Sequence, residues 1–240
     1  MRTDVLGVAF DNVTLEEAVD RGMALLDEEE PHLVATPNPE IVQIAGKDPE
    51  FAKILADASL VLADGVGVIH AAKILGRPLK GRVPGIEFAS ALMERMAKTG
   101  RRLYLLGAKP GVAEMAAANL QAKYPGLVIC GTHDGYFKED GPVAQAIRDS
   151  RAEAVFVCLG APKQEKFMTA HKSELDVRFM IGLGGSLDGF AGTVKRAPRW
   201  MQRCGLEWLY RLIKEPKRIG RMMRLPKFVL AVLRRRRKGA

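Results

Sequence analysis

The chain has 240 residues, 48% hydrophobic and 27% charged, a balance that excludes a disordered or fibrous protein and suits a single α/β core. Three cysteines without C-x-x-C spacing, Cys130, Cys158 and Cys204, argue against a disulfide framework and for thiols in a reducing compartment. The formal charge of +9 is unevenly held: residues 195–240 carry sixteen Lys and Arg against two acids, a net of +14, which leaves −5 on residues 1–194. Such asymmetry points to a polyanionic partner, either an anionic membrane or nucleic acid. The opening MRTDVLGVAFDNV has acids where a signal peptide needs an apolar run, and no stretch approaches the roughly 20 apolar residues of a membrane span. These features point to a cytoplasmic protein.

In chain order, a pair of short strands is expected around Val5–Val13. Strands then follow at Leu33–Ala35, Leu60–Leu62, Leu103–Leu106, Val128–Cys130, Val155–Cys158 and Phe179–Ile181. Helical patterns lie between them, among them 111–124 and 163–175. Alternation of this kind predicts a Rossmann-like, mostly parallel sheet with helices on both faces. Residues 1–195 form the α/β domain in this reading, and 196–240 a basic appendage. Ligands in such folds bind beyond the carboxyl ends of the strands. The segments expected there are TPNPE (36–40), ADGVG (63–67), GAKPG (107–111), GTHDGYF (131–137), GAPKQE (160–165) and GLGGSLDGF (182–190). Glycine permits close backbone approach and helix N-termini offer N–H groups to phosphate, so a nucleotide or sugar-nucleotide site is inferred.

No G-x-x-x-x-G-K-[ST] or G-x-G-x-x-G occurs, which argues against a P-loop enzyme and weakens a dehydrogenase reading. No D-x-D is present to hold a divalent metal, and His32, His70, His133 and His171 are scattered without ligand spacing. Neither a metal nor a cofactor is expected. Asp64, at the mouth of an apolar strand, either caps the next helix or does chemistry. Thr36 and Asn38 have the same capping alternative, and Arg82 could be an ordinary surface base. Tyr136 could be a loop aromatic packed on the core, and Asp188 an Asx-type turn.

After residue 205, Leu206, Leu209, Tyr210 and Ile213 recur at helical spacing, and Ile219, Met222 and Met223 make a second stripe. A short third stretch, Phe228–Leu233, follows Pro226 and ends in Arg234–Lys238. Basic amphipathic helices of this kind read as membrane-surface elements. A solvated helix pair packed on the domain is the plainer alternative. A nucleic-acid tail is a third, and no aromatic stacking platform in the loops supports it. The apolar tail faces also allow a homo-oligomer.

The motifs TPNPEI, LADGVGV, GRVPG, LLGAKPG, GTHDGYF, LGAPKQE, GLGGSLDGFAG, KRAPRW and GLEWLYRL together resemble the WecG/TagA/CpsF glycosyltransferases (glycosyltransferase family 26), from about residue 5 to about 225. The resemblance implies a bacterial, inverting, metal-independent enzyme. Such an enzyme passes a sugar, typically N-acetylmannosamine, from a UDP-sugar to the C4 hydroxyl of undecaprenyl-diphosphate-linked N-acetylglucosamine. The setting is wall teichoic acid or related polysaccharide synthesis at the cytoplasmic face of the membrane. It assigns the catalytic base to Asp64 and the surrounding polar pocket to Thr36, Asn38, Arg82 and Gln164. The nucleotide is expected against Tyr136, Gly185 and Asp188. Arg211, Arg218 and Arg221 of the appendage would meet the leaving diphosphate.

Overall fold

The computed structural model describes residues 2–194, 197–198, 200–201, 207–214 and 224–239, the last two segments without the side chains of Arg211, Arg224 and Lys238. The chain starts as a hairpin of β1 (Arg2–Val5) and β2 (Val8–Asp11), paired antiparallel. Its two-residue turn has Leu6 at φ 56° and Gly7 at φ 91°, the left-handed pair that matches strand twist in tight hairpins. Helix α1 (Leu15–Asp27) opens on a capping box in which Thr14 and Glu17 satisfy each other's backbone.

Six strands form one parallel sheet: β3 (His32–Ala35), β4 (Leu60–Val61), β5 (Arg102–Gly107), β6 (Val128–His133), β7 (Ala154–Cys158) and β8 (Phe179–Gly182). Their order is β4-β3-β8-β7-β5-β6. Side chains alternate between two cores, with Leu33, Val155 and Met180 on one face and Val34, Phe156 and Ile181 on the other. The first core is covered by α2 (Pro39–Ala45), α3 (Pro49–Asp57), α4 (Val66–Ile74), α7 (Asp140–Asp149) and α8 (Lys163–Ala170). The second is covered by α1, α5 (Gly85–Thr99), α6 (Val112–Lys123) and α9 (Ser186–Phe190). This is the Rossmann-like α/β class expected from the alternation. Adjacent strands β3 and β8 send their chains to opposite faces, so a crevice opens between their carboxyl ends.

Three boundaries differ from the sequence expectation. The helix expected over 163–175 ends at Ala170. There His171 packs on Phe167 at 4.9 Å and accepts Leu175 N at 3.1 Å, folding the chain back so that Leu175 is buried. Strand β6 runs on to His133, so Gly131–His133 lie in the ladder beside Tyr104–Leu106 and not beyond it. Gly131 allows this, because a Cβ there would fall 2.4 Å from the Tyr104 ring.

The third difference is in the tail. Helices α10 (Glu207–Lys214) and α11 (Arg224–Gly239) follow the sheet. The short stretch after Pro226 is part of the longer α11. Pro226 sits in its first turn, where a missing N–H is tolerated. Helix α11 packs on α2 and α4 and inserts Phe228 and Val232, 2% and 1% exposed, into the first core. Its outer face exposes Val229, Leu230, Leu233 and the bases Arg234–Arg237.

Candidate active site

The exits of β3 and β4 build one wall of the crevice. Pro37 O accepts Asp64 N at 3.2 Å, and Ala63 O accepts Val83 N at 3.0 Å. These bonds draw TPNPE, ADGVG and GRVPG together. Pro39 presses the second loop so closely that a Cβ on Gly67 would lie 2.7 Å from its Cγ. Gly85, opening α5, similarly sits within 3.2 Å of the Thr36 methyl, measured from a built Cβ. Thr36, Asn38, Asp64 and Arg82 therefore converge.

Their local roles differ. Thr36 is 7% exposed and its Oγ1 donates to Gly182 O at 2.8 Å, tying β3 to β8. Asn38 Oδ1 caps α2, accepting Glu40 N at 2.9 Å and Ile41 N at 3.0 Å. Of the two readings open for Asn38, its oxygen thus takes the structural one, and its amide nitrogen remains the group for a ligand. The N-cap position of α4 is Gly65 at φ 114°, one residue after Asp64. Arg82 lies 3.9 Å from Glu87 of α5 and 4.0 Å from Glu207 of α10, which links the pocket to the appendage.

The exits of β7 and β8 build the opposite wall. Gln164 is 2% exposed and Glu165 1%. Gln164 Oε1 accepts Gly160 N at 3.1 Å and Gly184 N at 3.0 Å, and its Nε2 donates to Glu165 Oε1 at 2.9 Å. Gly182 is glycine because a Cβ would lie 2.5 Å from Gln164 Nε2. Gln164 thus acts between loops and not on the crevice surface. Burial pushes the Glu165 carboxyl above the ordinary glutamate range, and holds the Cys158 thiol up at about 12. Beyond β8, Gly185 is exposed, and Asp188 receives Thr193 Oγ1 on its carbonyl at 3.1 Å and on Oδ1 at 3.4 Å.

Further along the same edge, Ala108 O accepts Gly135 N at 2.8 Å and Cys158 O accepts Ala108 N at 3.3 Å. Lys163 Nζ lies 4.4 Å over the Phe137 ring. Tyr136 is held out by an Asx turn, its N donating to Asp134 Oδ1 at 2.7 Å. At 69% exposure it is not a core-packed aromatic. Helices α4, α6 and α8 all begin at strand exits on this edge without a side-chain cap, and backbone carbonyls take first-turn N–H groups instead: Gly65 O accepts Val68 N, Lys109 O accepts Val112 N and Gly160 O accepts Gln164 N.

Arg218 and Arg221 lie outside the described residues, as does the side chain of Arg211. Among the described residues no three His, Cys, Asp or Glu side chains form a set that could hold a metal ion, and no helix is long and apolar enough to cross a membrane. A groove of about 390 Å³ between α1 and α5, lined by Leu15, Val19, Glu94 and Arg95, involves none of the crevice residues. Sequence reasoning missed Glu165 and Glu207. Glu165 stands one residue from Gln164 and three before buried Met168, on a helical stripe otherwise apolar; a carboxyl there signals burial.

Fold and site define a class: a Rossmann-like α/β enzyme whose crevice lies at the carboxyl edge of the sheet, where the loops carrying Asp64 and Arg82 adjoin. The chain belongs to the WecG/TagA/CpsF family of glycosyl transferases, whose model matches residues 3–240. Three relatives carry the same name, N-acetylglucosaminyldiphosphoundecaprenol N-acetyl-beta-D-mannosaminyltransferase. The protein from Bacillus subtilis is 39% identical over 84% of this chain and 79% of its own length. That from Bacillus spizizenii is 37% identical over 90% and 84%, and that from Staphylococcus aureus 34% over 99% and 94%.

Proposed function

We propose that this glycosyltransferase moves N-acetylmannosamine from a UDP-sugar to the C4 hydroxyl of undecaprenyl-diphosphate-linked N-acetylglucosamine. The transfer inverts the anomeric centre, uses no metal and serves surface-polymer synthesis of the wall teichoic acid type. The convergence of Asp64 with Thr36, Asn38 and Arg82 at the β3 and β4 exits carries this reading, in a chain whose relatives bear that transferase name.

Asp64 takes the proton of the acceptor hydroxyl as its oxygen attacks the anomeric carbon, and the bond to UDP breaks with its electrons on the diphosphate. General-base assistance of this kind contributes about 10²–10⁴-fold. Arg82 and the Asn38 amide hold the acceptor beside the base, and Thr36 keeps the two walls in register. Tyr136 flanks the uracil, and Gly185 and Asp188 border the ribose. The departing charge is met by Arg211, Arg218 and Arg221, since preorganised donors act where charge develops. Residues 196–240 form the membrane-associating appendage on the body of residues 1–195. Val229, Leu230, Leu233 and Arg234–Arg237 of α11 suit an anionic leaflet, as do exposed Trp208 and Ile213 of α10. In this reading the protein sits peripherally on the cytoplasmic face of the membrane and self-associates through the same apolar surface when no membrane is present. Nucleic acid is not a partner in this reading.

The test is UDP release from UDP-N-acetylmannosamine with a short-chain polyprenyl-diphosphate-N-acetylglucosamine acceptor, in EDTA, for wild type and Asp64→Asn. Turnover that needs acceptor, survives chelation and drops at least about 100-fold in D64N supports the reading. An active D64N removes Asp64 as base. A wild type stabilised by UDP yet inactive keeps the family chemistry and rejects the donor sugar.

A further inference from the structure

The mechanism above gives no part to Glu165, a buried ionisable group. Glu165 is 1% exposed on α8, its Oε1 accepts Gln164 Nε2, and among the described residues its Oε2 has no hydrogen-bond partner. Burial with one bare oxygen disfavours the ionised form of this carboxyl. What it holds is informative. Gln164 Oε1 is shared by Gly160 N, at the exit of β7, and Gly184 N, at the exit of β8. Both glycines have left-handed backbones, at φ 78° and 53°. Turning the Gln164 amide over would set its NH₂ against two N–H donors, and the bond to Glu165 opposes that turn from the other end.

We propose that Glu165 is a positioning residue: by fixing the Gln164 carboxamide it sets the gap between the β7 and β8 exit loops, and thereby the shape of the donor-nucleotide side of the crevice. The same β8 exit is gripped from the other wall by Thr36, through Gly182 O. The loop that begins GLGG is therefore held at buried Gly182 and half-buried Gly184, while Gly185 beyond them is exposed and Asp188 half-exposed. The assignment to the donor side rests on the proposed function.

Glu165→Met and Glu165→Gln in the full chain separate packing from bonding, because both fill the site and only Gln keeps an acceptor. Two readouts are needed. Amide exchange reports directly on the Gly160 and Gly184 N–H groups: Glu165→Met is expected to lose about tenfold protection at both, and E165Q to keep it. In steady-state turnover, Glu165→Met is expected to raise the donor KM about tenfold with the acceptor KM unchanged, and E165Q to stay within about twofold of wild type. A lower melting temperature with unchanged exchange and donor KM would mean that Glu165 only fills space, and overturns the proposal. Lost protection in a protein whose wild type does not bind UDP keeps the positioning role and rejects the donor assignment. If Glu165→Met fails to melt cooperatively, E165Q decides: loss of glycine protection or of donor affinity in that variant overturns the proposal.

Discussion

Replacing Thr36 by valine exchanges one hydroxyl for a methyl of similar size. Thr36 Oγ1 is the donor of a buried 2.8 Å bond to Gly182 O, the side-chain link between the strands flanking the crevice. Removing it leaves a carbonyl with fewer partners and a methyl against it, a change that costs about 1–3 kcal/mol. In a chain of this size each kcal/mol moves Tm by about 2–4 °C, so Thr36→Val is expected to melt roughly 2–12 °C lower. Thr36→Ser keeps the donor and is expected to recover most of that loss. In the turnover assay at 25 °C, where both variants remain folded, kcat should fall with the loss of register, about tenfold, and not by the larger factor of a missing base. Denaturant midpoints and initial rates measured on one preparation give both numbers. A thousandfold loss of kcat with an unchanged midpoint would refute the argument and make the hydroxyl a group that acts on substrate.

Gly182→Ala pushes a Cβ to 2.5 Å from Gln164 Nε2 and 2.9 Å from its Cδ. Overpacking of this kind costs about 1–3 kcal/mol, and UDP affinity should fall with stability in a thermal-shift titration. Replacing Arg234–Arg237 with glutamine leaves the core untouched, because all four are exposed. Binding to vesicles containing anionic lipid should weaken by as much as about 4 kcal/mol at low salt, with the melting temperature unchanged. Glu165 gives a pH signature. Its folded pKa is raised by burial, so the unfolded chain releases the proton first, and stability present at low pH is lost as pH rises toward the folded value. Denaturant midpoints from pH 4 to 8 should show this slope in wild type and a flatter one in E165Q.

Much of the sheet is legible in the sequence because five of its six strands are short apolar runs buried on both faces, such as Val155–Cys158, and a buried parallel strand carries little else. The edge strand β6 is half-exposed throughout, and its continuation through Gly131 depends on the Tyr104 ring of a neighbour, which no local pattern encodes. The approximate site was readable because glycine and polar residues cluster after strands. The division of labour inside it was not. Asn38 and Gln164 are chemically suited to a ligand, yet their side-chain oxygens are taken by backbone N–H groups, two from the first turn of α2 and two from the β7 and β8 exit loops, and the sequence does not show that Gly184 lies beside Gln164. The tail's periodicity showed amphipathic helices but not which residues would be claimed by the body: Phe228 and Val232 go inward while Val229 and Leu233, one step away, do not.

The strand order also bears on how the protein is made. Strand β8 sits between β3 and β7, so a chain synthesised only as far as β7 holds two unjoined ladders, β4–β3 and β7–β5–β6. Asp64 belongs to the first and Tyr136 to the second. Their spacing becomes fixed when Phe179–Gly182 slides between the ladders, a closure that is long-range in sequence and correspondingly slow. The four-residue strand is a keystone: a ribosome-bound chain halted before it carries Asp64 and Tyr136 on separate ladders with no crevice between them.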